Sequence, residues 1–288
     1  MDIEQRIDLH FGEKVSGIVL DNAYDLWRKN KYIEYVKNNH VIYIFSRDTD
    51  MRNLSDFSHI EYLTVPEEAE HLESLICLTN LKGLEISARC LSHIDLIWFP
   101  KLDDLVVHGQ PDEAIDCTSI RRLYCSQWEM KDLRGFWGIQ RIKSLTLDFC
   151  SKLETLRGVE EFSDLEEVCL DYCSQLSDID CLQNLSDSLK KLTITDCNRV
   201  KDFRIFERLK KLEILHLTRF QTSGTGKLAS VKFMDSLPAL QSFMTSYRVE
   251  DNDLKPLLRL KEVTLLKYFR GYNVSESELP IRTRHKRV

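Results

Sequence analysis

The chain has 288 residues, of which 43% are hydrophobic and 30% charged, and its formal net charge is -6. This composition excludes a largely disordered chain, and so acidic a chain lacks the basic surface that nucleic-acid binding requires, so we expect no nucleic-acid partner. There is no run of about 18 apolar residues, and the first segment, MDIEQRIDLHFGEK, lacks the apolar core of a secretory signal. We therefore expect a cytoplasmic protein that makes no contact with a membrane.

The first predicted element is a helix within residues 23–39, AYDLWRKNKYIEYVKNN. Its apolar residues recur at near-helical spacing, which is typical of an amphipathic helix. These residues are Leu26, Trp27, Ile33 and Val36. The pattern that follows predicts a stack of repeats, and the end of a stack must be covered. We therefore assign residues 1–40 to an N-terminal cap that contains this helix.

Residues 41–270 contain one pattern, Leu-x-x-Leu-x-Leu, in successive copies. The four clearest copies begin 23, 24 and 23 residues apart, at Ile142, Leu165, Leu189 and Leu212. Between copies, apolar residues recur every three positions, which predicts a short 3₁₀ or α segment that packs back onto each strand. Looser copies begin at Ile60, Leu81, Leu102, Ile120, Leu240 and Leu260, and degenerate copies at Val15 and Val41.

This pattern resembles the leucine-rich repeat family, in the short form with repeats of roughly 22 residues that bacterial proteins and protein-phosphatase regulators carry. The resemblance covers residues 41–270. It implies an α/β fold, a curved solenoid with a parallel sheet on its concave side and short 3₁₀ or α segments on its convex side. The residues themselves favour the same fold, because no single repeat can bury its apolar face alone and neighbouring repeats must stack.

Three of the nine cysteines hold the same place in successive copies. Cys150, Cys173 and Cys197 each come three residues after the last strand Leu or Ile. The resemblance implies Asn or Cys at this place, pointing inward and bonding to loop backbone, so we expect a buried ladder. Zinc is the alternative, because Cys169 and Cys173 are four residues apart. Cys169 lies at a strand centre and faces the other side, so we expect reduced thiols, no metal and no cofactor.

No catalytic set of residues is predicted to assemble, so we expect no enzyme. His108 and His216 fall four coils apart, which is about 19 Å at about 4.8 Å per coil, and no Ser/His/Asp or Cys/His group shares a neighbourhood. The segment TSGTGKLAS, residues 222–230, resembles a phosphate-binding loop, but Gln221 and Leu228 break that pattern. It lies in the longest repeat, where an insertion must loop out.

Strand side chains alternate, so the residues between the apolar positions are predicted to line the concave surface. Acidic and aromatic residues dominate there, against one base, Arg122. We interpret this surface as a docking face for a basic protein, because aromatic residues are enriched at interfaces and an acidic field steers a cationic partner. The alternative is a merely solvated face. The predicted contact residues are Tyr62, Glu85, Asp104, His108, Tyr124, Thr146, Asp148, Phe149, Glu167, Asp171 and Tyr172.

These expectations describe a non-enzymatic protein-binding module that is a monomer alone or forms a complex with its partner. One hypothesis is an inhibitor or immunity protein that neutralises a basic toxin or enzyme. The alternative is a scaffold or regulatory subunit that recruits an enzyme to its target. The last segment, residues 271–288, ends in IRTRHKRV and is predicted to be a solvated basic tail, with contact to a nucleic acid or an anionic surface as the alternative.

Overall fold

A computed structural model shows parallel strands that alternate with short 3₁₀ helices, which confirms the predicted arrangement of a parallel sheet with short helical returns between its strands. The predicted helix within residues 23–39 and the last residues, 281–288, lie outside the part of the chain that the structure describes. The described residues are 17–20, 43–46, 49–111, 115–134, 138–139, 141–220 and 226–280.

The chain divides into two compact units. Each unit contains part of the predicted stretch of repeats, residues 41–270. Unit 1 comprises residues 1–127 and 135–142, and unit 2 comprises residues 128–134 and 143–288.

The described residues of unit 1 contain six strands that pair in chain order, all parallel. They are β1 (Gly17–Leu20), β2 (Tyr43–Ser46), β3 (Tyr62–Thr64), β4 (Gly83–Ser87), β5 (Asp104–His108) and β6 (Arg122–Ser126). The connections carry the 3₁₀ helices Met51–Phe57, Leu72–Cys77 and Leu96–Trp98 and one α-helical turn, α1 (Ala88–Leu91). The first strand lies inside the predicted cap, so the sheet begins earlier than residue 41.

Unit 2 repeats this arrangement with longer coils. Its main strands pair in the order β7 (Ser144–Asp148), β8 (Glu167–Asp171), β9 (Lys191–Thr195), β10 (Ile214–Thr218), β12 (Ser242–Thr245) and β14 (Glu262–Leu265), and β11 (Lys227–Leu228) pairs separately with β13 (Arg248–Val249). The 3₁₀ helices are Val159–Glu161, Asp180–Leu185, Arg204–Arg208, Lys232–Ser236, Lys255–Arg259 and Glu276–Glu278. Successive strand starts are therefore 23, 24, 23, 28 and 20 residues apart.

The core of each unit lies where the repeat pattern predicts it. In unit 1 the register aligns Leu63, Leu84, Leu105 and Leu123, and all four side chains are buried. In unit 2 the equivalent residues are Leu145, Val168, Leu192, Leu215, Phe243 and Val263, all buried. The three-residue spacing between strands buries a second row against them, which includes Leu153, Leu156, Val159 and Phe162. Truncating a buried leucine in such a row costs about 2–5 kcal/mol.

The predicted cysteine ladder is confirmed. Cys150, Cys173 and Cys197 are fully buried, and each thiol donates to backbone oxygens of the coil. The Cys173 thiol lies 3.6 Å from the carbonyl oxygen of Leu147. Hydrogen bonding to Cys150, then to Cys197, raises the pKa of Cys173, and burial adds to it. Cys173 is therefore a thiol that fills a turn, not a reactive thiolate.

Residues 271–280 pack against the last coil, so the start of the predicted tail at residue 271 is wrong. The backbone N–H of Val263 in β14 donates to the carbonyl oxygen of Pro280 at 2.8 Å. Val274 and Leu279 are buried. The Tyr268 hydroxyl donates to the carbonyl oxygen of Val274 at 2.7 Å. This segment covers backbone and apolar groups at the end of the stack, as a terminal cap must.

Candidate protein-binding site

The outward side of the unit 1 sheet holds five of the predicted contact residues, but two of them are buried. Tyr62 is 5% exposed and Asp104 is 3% exposed, so the expectation that both lie at the surface is wrong. Tyr62 is buried because β3 is covered on both sides, with all three of its residues inaccessible. We call the set Tyr62, Glu85, Asp104, His108, Arg122, Tyr124 and Ser126 the unit 1 face.

Asp104 is buried because a base lies directly opposite it on the next strand. The register pairs Asp104 with Arg122, and the guanidinium donates both Nε and NH2 to the carboxylate, the second at 2.6 Å from Oδ2. A second carboxylate, that of Asp103, lies 3.3 Å from the same NH2. The hydrogen bond to Asp104 raises the pKa of Arg122. Arg122, the one base of the predicted acidic surface, is therefore already paired with Asp104, one of the acids of that surface.

Glu85, His108 and Ser126 form a hydrogen-bonded chain across β4, β5 and β6, a Ser/His/Glu set that the sequence did not predict. His108 Nε2 lies 3.0 Å from Glu85 Oε1, and Nδ1 lies 2.7 Å from Ser126 Oγ. Thr64 donates to the other Glu85 oxygen at 2.9 Å. Sequence spacing hid this set because each residue comes from a different coil, and only the register brings them together.

The Glu85–His108–Ser126 hydrogen bonds join three strands, and their geometry suits this structural role better than nucleophilic catalysis. Ser126 is buried, whereas an attacking hydroxyl must reach its substrate. The ring of Tyr124 lies edge-on to His108, with centroids 6.4 Å apart, and further covers the imidazole. Glu85 and Ser126 are both hydrogen-bonded to His108, and Glu85 also accepts from Thr64, so the network joins four neighbouring strands and can stabilise the fold.

Unit 2 presents its predicted residues differently. Phe149 and Tyr172 follow β7 and β8 directly, and their rings stack with centroids 4.7 Å apart and an interplanar angle of 11°. Phe149 is 52% exposed. Both residues have left-handed backbone, with φ of 51° and 53°, at the point where the chain leaves the sheet. Their backbone N–H groups donate to the next coil, Phe149 to Asp171 O and Tyr172 to Thr195 O, which fixes the platform.

Two carboxylates adjoin this platform. The register places Asp148 of β7 opposite Asp171 of β8, at the last position of each strand. The thiol of Cys169 donates to Asp171 Oδ2 at 3.2 Å, and burial followed by the Asp171 charge raises the pKa of that thiol. Like charges directly opposite in a sheet are destabilising, by about 0.2–1 kcal/mol. We call Asp148, Phe149, Asp171 and Tyr172 the unit 2 rim.

The other two predicted residues of unit 2 lie on the same strands but outside the rim. Thr146 is half-buried at the centre of β7, opposite Cys169. Glu167 begins β8 and forms an exposed ion pair with Lys191, at 3.3 Å between Oε2 and Nζ. The Glu167 charge is therefore partly balanced inside the protein.

Sequence reasoning missed one exposed aromatic residue, Phe220. It holds the place in its coil that Cys150, Cys173 and Cys197 hold in theirs, yet it is 63% exposed. Its backbone N–H donates to both oxygens of Asp196, at 3.0 and 3.1 Å. The sequence does contain a sign of this exposure, because a phenylalanine replaces the ladder cysteine at the start of the 28-residue coil.

Cys169 and Cys173 face opposite sides of the strand, as expected, because one bonds to Asp171 and the other to Leu147 inside the coil. Among the described residues, no group of three or more His, Cys, Asp or Glu side chains could hold a metal ion. None of the helices in the described ranges is long and apolar enough to span a membrane.

No family model matches the chain, and no curated protein matches it. Among solved structures, an internalin from Listeria monocytogenes is similar over 86% of this chain and 81% of its own, with 16% identity and a TM-score of 0.47. The TLR13–ssRNA13 complex is similar over 79% of this chain and 47% of its own, with 14% identity and a TM-score of 0.31. Similarity at this level carries no argument about function.

Proposed function

We propose that this protein is a non-enzymatic protein-binding module and that the unit 2 rim is its contact site. One observation carries the proposal: a stacked aromatic pair, of which Phe149 is exposed and Tyr172 half-buried, lies beside two carboxylates on directly opposite strand positions. Exposed aromatic residues are enriched among the residues that dominate binding energy. The nine free cysteines fit a reducing compartment such as the cytoplasm.

The aromatic platform is prepared for binding before a partner arrives. The residue directly after the strand has left-handed backbone in four successive coils, at Gln127, Phe149, Tyr172 and Asp196, so the repeat itself fixes where the two aromatic residues leave the sheet. Stacking and the backbone hydrogen bonds to the next coil restrain both rings. A restrained platform loses little side-chain entropy on association, so more of its contact energy is available for affinity.

The charge of the rim selects a basic partner. A lysine or arginine side chain that enters between Asp148 and Asp171 relieves their repulsion and gains both attractions. The same cation can lie over the exposed ring of Phe149, where a cation–π contact adds about 0.5–1 kcal/mol. Arginine fits best, because its planar guanidinium both stacks and binds carboxylates with two hydrogen bonds.

The function we favour is an inhibitor or immunity protein that neutralises a basic toxin or enzyme. The alternative is a scaffold or regulatory subunit that recruits an enzyme. An inhibitor binds one abundant basic protein stoichiometrically and protects cells that express both, whereas a scaffold captures several host proteins. Affinity falls as salt rises for either, because the contact is electrostatic.

The test measures binding of a fluorescent arginine-rich peptide by anisotropy, followed by capture of partners from the source cell. The double variant Asp148→Asn with Asp171→Asn should weaken peptide binding and partner capture about tenfold or more. Phe149→Ala should weaken both to a similar extent without changing the net charge. The charge-matched control, Glu161→Gln with Asp164→Asn, changes two exposed acids elsewhere in unit 2 and should leave binding intact. Equal loss in the rim variants and the control would refute the site.

The absence of catalysis needs its own measurement because of the Ser126–His108–Glu85 chain. A fluorophosphonate probe reacts with activated serine hydroxyls. Wild-type protein and Ser126→Ala should give the same background labelling, since Ser126 is buried. Labelling of the wild type that Ser126→Ala abolishes would make this protein an enzyme and would contradict the proposal.

A further inference from the structure

A cavity of about 390 Å³ opens in unit 2, between the 3₁₀ helix Arg204–Arg208 and the segment that runs from β11 into the next 3₁₀ helix. It belongs to the helical return of the coils, not to the main sheet that carries the rim. Its size is within the range of small-ligand and side-chain pockets.

The cavity exists because one coil is too long to pack like its neighbours. The strand starts of β10 and β12 are 28 residues apart, against 23 or 24 for the coils before them. The added residues form β11, which pairs with β13 outside the main sheet. Gly226 permits this path, since a Cβ there would lie 2.7 Å from the Tyr247 ring. The extra segment adds a wall beside the preceding coil, and the cavity lies between them.

The floor of the cavity is apolar and fixed. Phe203, Leu228 and Phe233 line it. The Phe203 ring lies edge-on to Tyr247, with centroids 6.0 Å apart. Phe233 lies edge-on to Phe206, with centroids 5.5 Å apart, and Phe206 is fully buried. These contacts hold the floor open, so that an apolar side chain can enter without rearrangement of the core.

The lining of the cavity carries more basic than acidic residues, although the protein as a whole has a net negative charge. Four basic residues and two acids, Asp202 and Glu207, line it. Two of the bases are paired, Arg204 with Asp202 and Lys227 with Glu250 at 2.9 Å. The other two, Lys201 and Lys232, are exposed and form no ion pair with any residue in the described parts of the chain.

We propose that this cavity binds an acidic peptide segment that inserts one aromatic or large aliphatic side chain. The apolar floor receives that side chain, while Lys201 and Lys232 attract the flanking carboxylates. A peptide fits better than a polyphosphate or nucleic acid. Asp202 and Glu207 would repel a continuous run of phosphates, whereas carboxylates separated by an apolar residue can avoid them. The cavity is separate from the unit 2 rim, and it prefers a partner of the opposite charge.

The consequence is that one chain can hold two partners of opposite charge at separate sites. Cations bind the unit 2 rim and an acidic segment binds the cavity. Peptide binding in the experiment below would shift the preference from the inhibitor, which the unit 2 rim alone supports, to the scaffold alternative, because an inhibitor needs only one site.

The experiment uses the full chain and a short fluorescein-labelled peptide in which Phe is flanked by Asp and Glu. Wild-type protein should bind it, more weakly as salt rises. Replacing the Phe of the peptide by Ser, or its Asp and Glu by the neutral Asn and Gln, should each abolish binding. Lys201→Glu with Lys232→Glu should weaken binding about tenfold or more. The matched control, Lys211→Glu with Lys255→Glu, changes two other exposed lysines of unit 2 and should not.

A second variant tests the cavity without a change of charge. Ala229→Trp places a bulky ring in the lining and should block the peptide. Thermal unfolding of each variant shows whether the fold is intact, and the lysine variants, which change exposed side chains only, keep the test valid if Ala229→Trp does not fold. The proposal is overturned by no binding to the wild type, by equal affinity in both lysine variants, or by full competition from inorganic phosphate, which would mean simple anion attraction.

Discussion

The unit 1 face and the unit 2 rim both carry acids on paired strands, at the first strand position in unit 1 and at the last in unit 2, and they differ in what lies opposite each acid. In unit 1 the register places Arg122 opposite Asp104, and the two form hydrogen bonds. In unit 2 it places Asp171 opposite Asp148. The identity of a polar residue therefore does not decide whether it is available to a partner. The residue that lies opposite it on the neighbouring strand decides whether it is available to a partner.

The aromatic residues show the same contrast. Tyr62 in unit 1 lies in a strand that is covered on both sides. Phe149 and Tyr172 lie one residue beyond the strand, where the chain turns away with left-handed backbone and the two rings stack on each other. Exposed aromatic surface is thus found at the strand ends of unit 2, and the predictions below test this difference between the two regions.

The largest effect is expected from Arg122→Ala. It removes the guanidinium that balances the buried charge of Asp104, so the free energy of unfolding should fall by about 2 kcal/mol, below the usual cost because Arg122 itself is half-exposed. Urea denaturation measures it. Lys191→Ala, which removes the partner of exposed Glu167, is the control and should cost less than about 0.5 kcal/mol. Equal costs would erase the distinction between the two regions.

Glu85→Gln should have the next largest effect. The variant keeps the size of the side chain but loses the charged acceptor that faces both His108 and Thr64. We expect a loss of about 1 kcal/mol in the free energy of unfolding. Glu68→Gln changes an exposed acid of unit 1 and should change nothing measurable. If the two variants behave alike, the hydrogen-bonded chain contributes no stability.

Neutralising an acid should act with opposite sign in the two regions. Asp104→Asn removes a paired charge and should destabilise. Asp171→Asn removes one of two facing charges, keeps an acceptor for Cys169, and should stabilise by about 0.5 kcal/mol at low salt. Chemical denaturation at low and high salt measures both, and salt should remove most of the gain. Destabilisation by Asp171→Asn would show that the carboxylate is needed inside the fold.

The fold could be predicted from the sequence because its main determinant is local and repeated. The spacing of Leu145, Val168, Leu192 and Leu215 sets the coil length, and stacking then follows from the need to bury each apolar row. Even the degenerate copies at Val15 and Val41 coincide with strands β1 and β2. The cysteine ladder was predicted for the same reason, since it recurs with the repeat.

The candidate site could be predicted only in part, because availability depends on pairs of residues in different coils. Asp104 and Arg122 occupy the same place in successive copies, so their pairing was implicit in the alignment. The exposure of Phe220 was not, because it depends on where a 28-residue coil sends its extra chain. Periodicity fixes the positions that repeat, whereas an insertion follows local backbone constraints that the pattern does not contain.

The smallest effect concerns pH and again compares the two regions. His108 in unit 1 is hydrogen-bonded to a carboxylate, whereas burial on β10 of unit 2, and then the charge of Lys191, lower the pKa of His216. The unfolded chain keeps the ordinary imidazole pKa near 6.5. Below that pH the unfolded state binds more protons at His216 than the folded state does, so stability is lost as pH falls through this window.

His216→Asn removes this titration while keeping a polar side chain of similar size. The free energy of unfolding should therefore fall less steeply between about pH 7 and 5 in the variant than in the wild type. His93→Asn, which replaces an exposed histidine of unit 1, should leave the slope unchanged. A slope that His216→Asn does not alter would mean that this imidazole is as well solvated in the folded protein as in the unfolded chain. The sheet of unit 2 would then be more open to water than its geometry indicates.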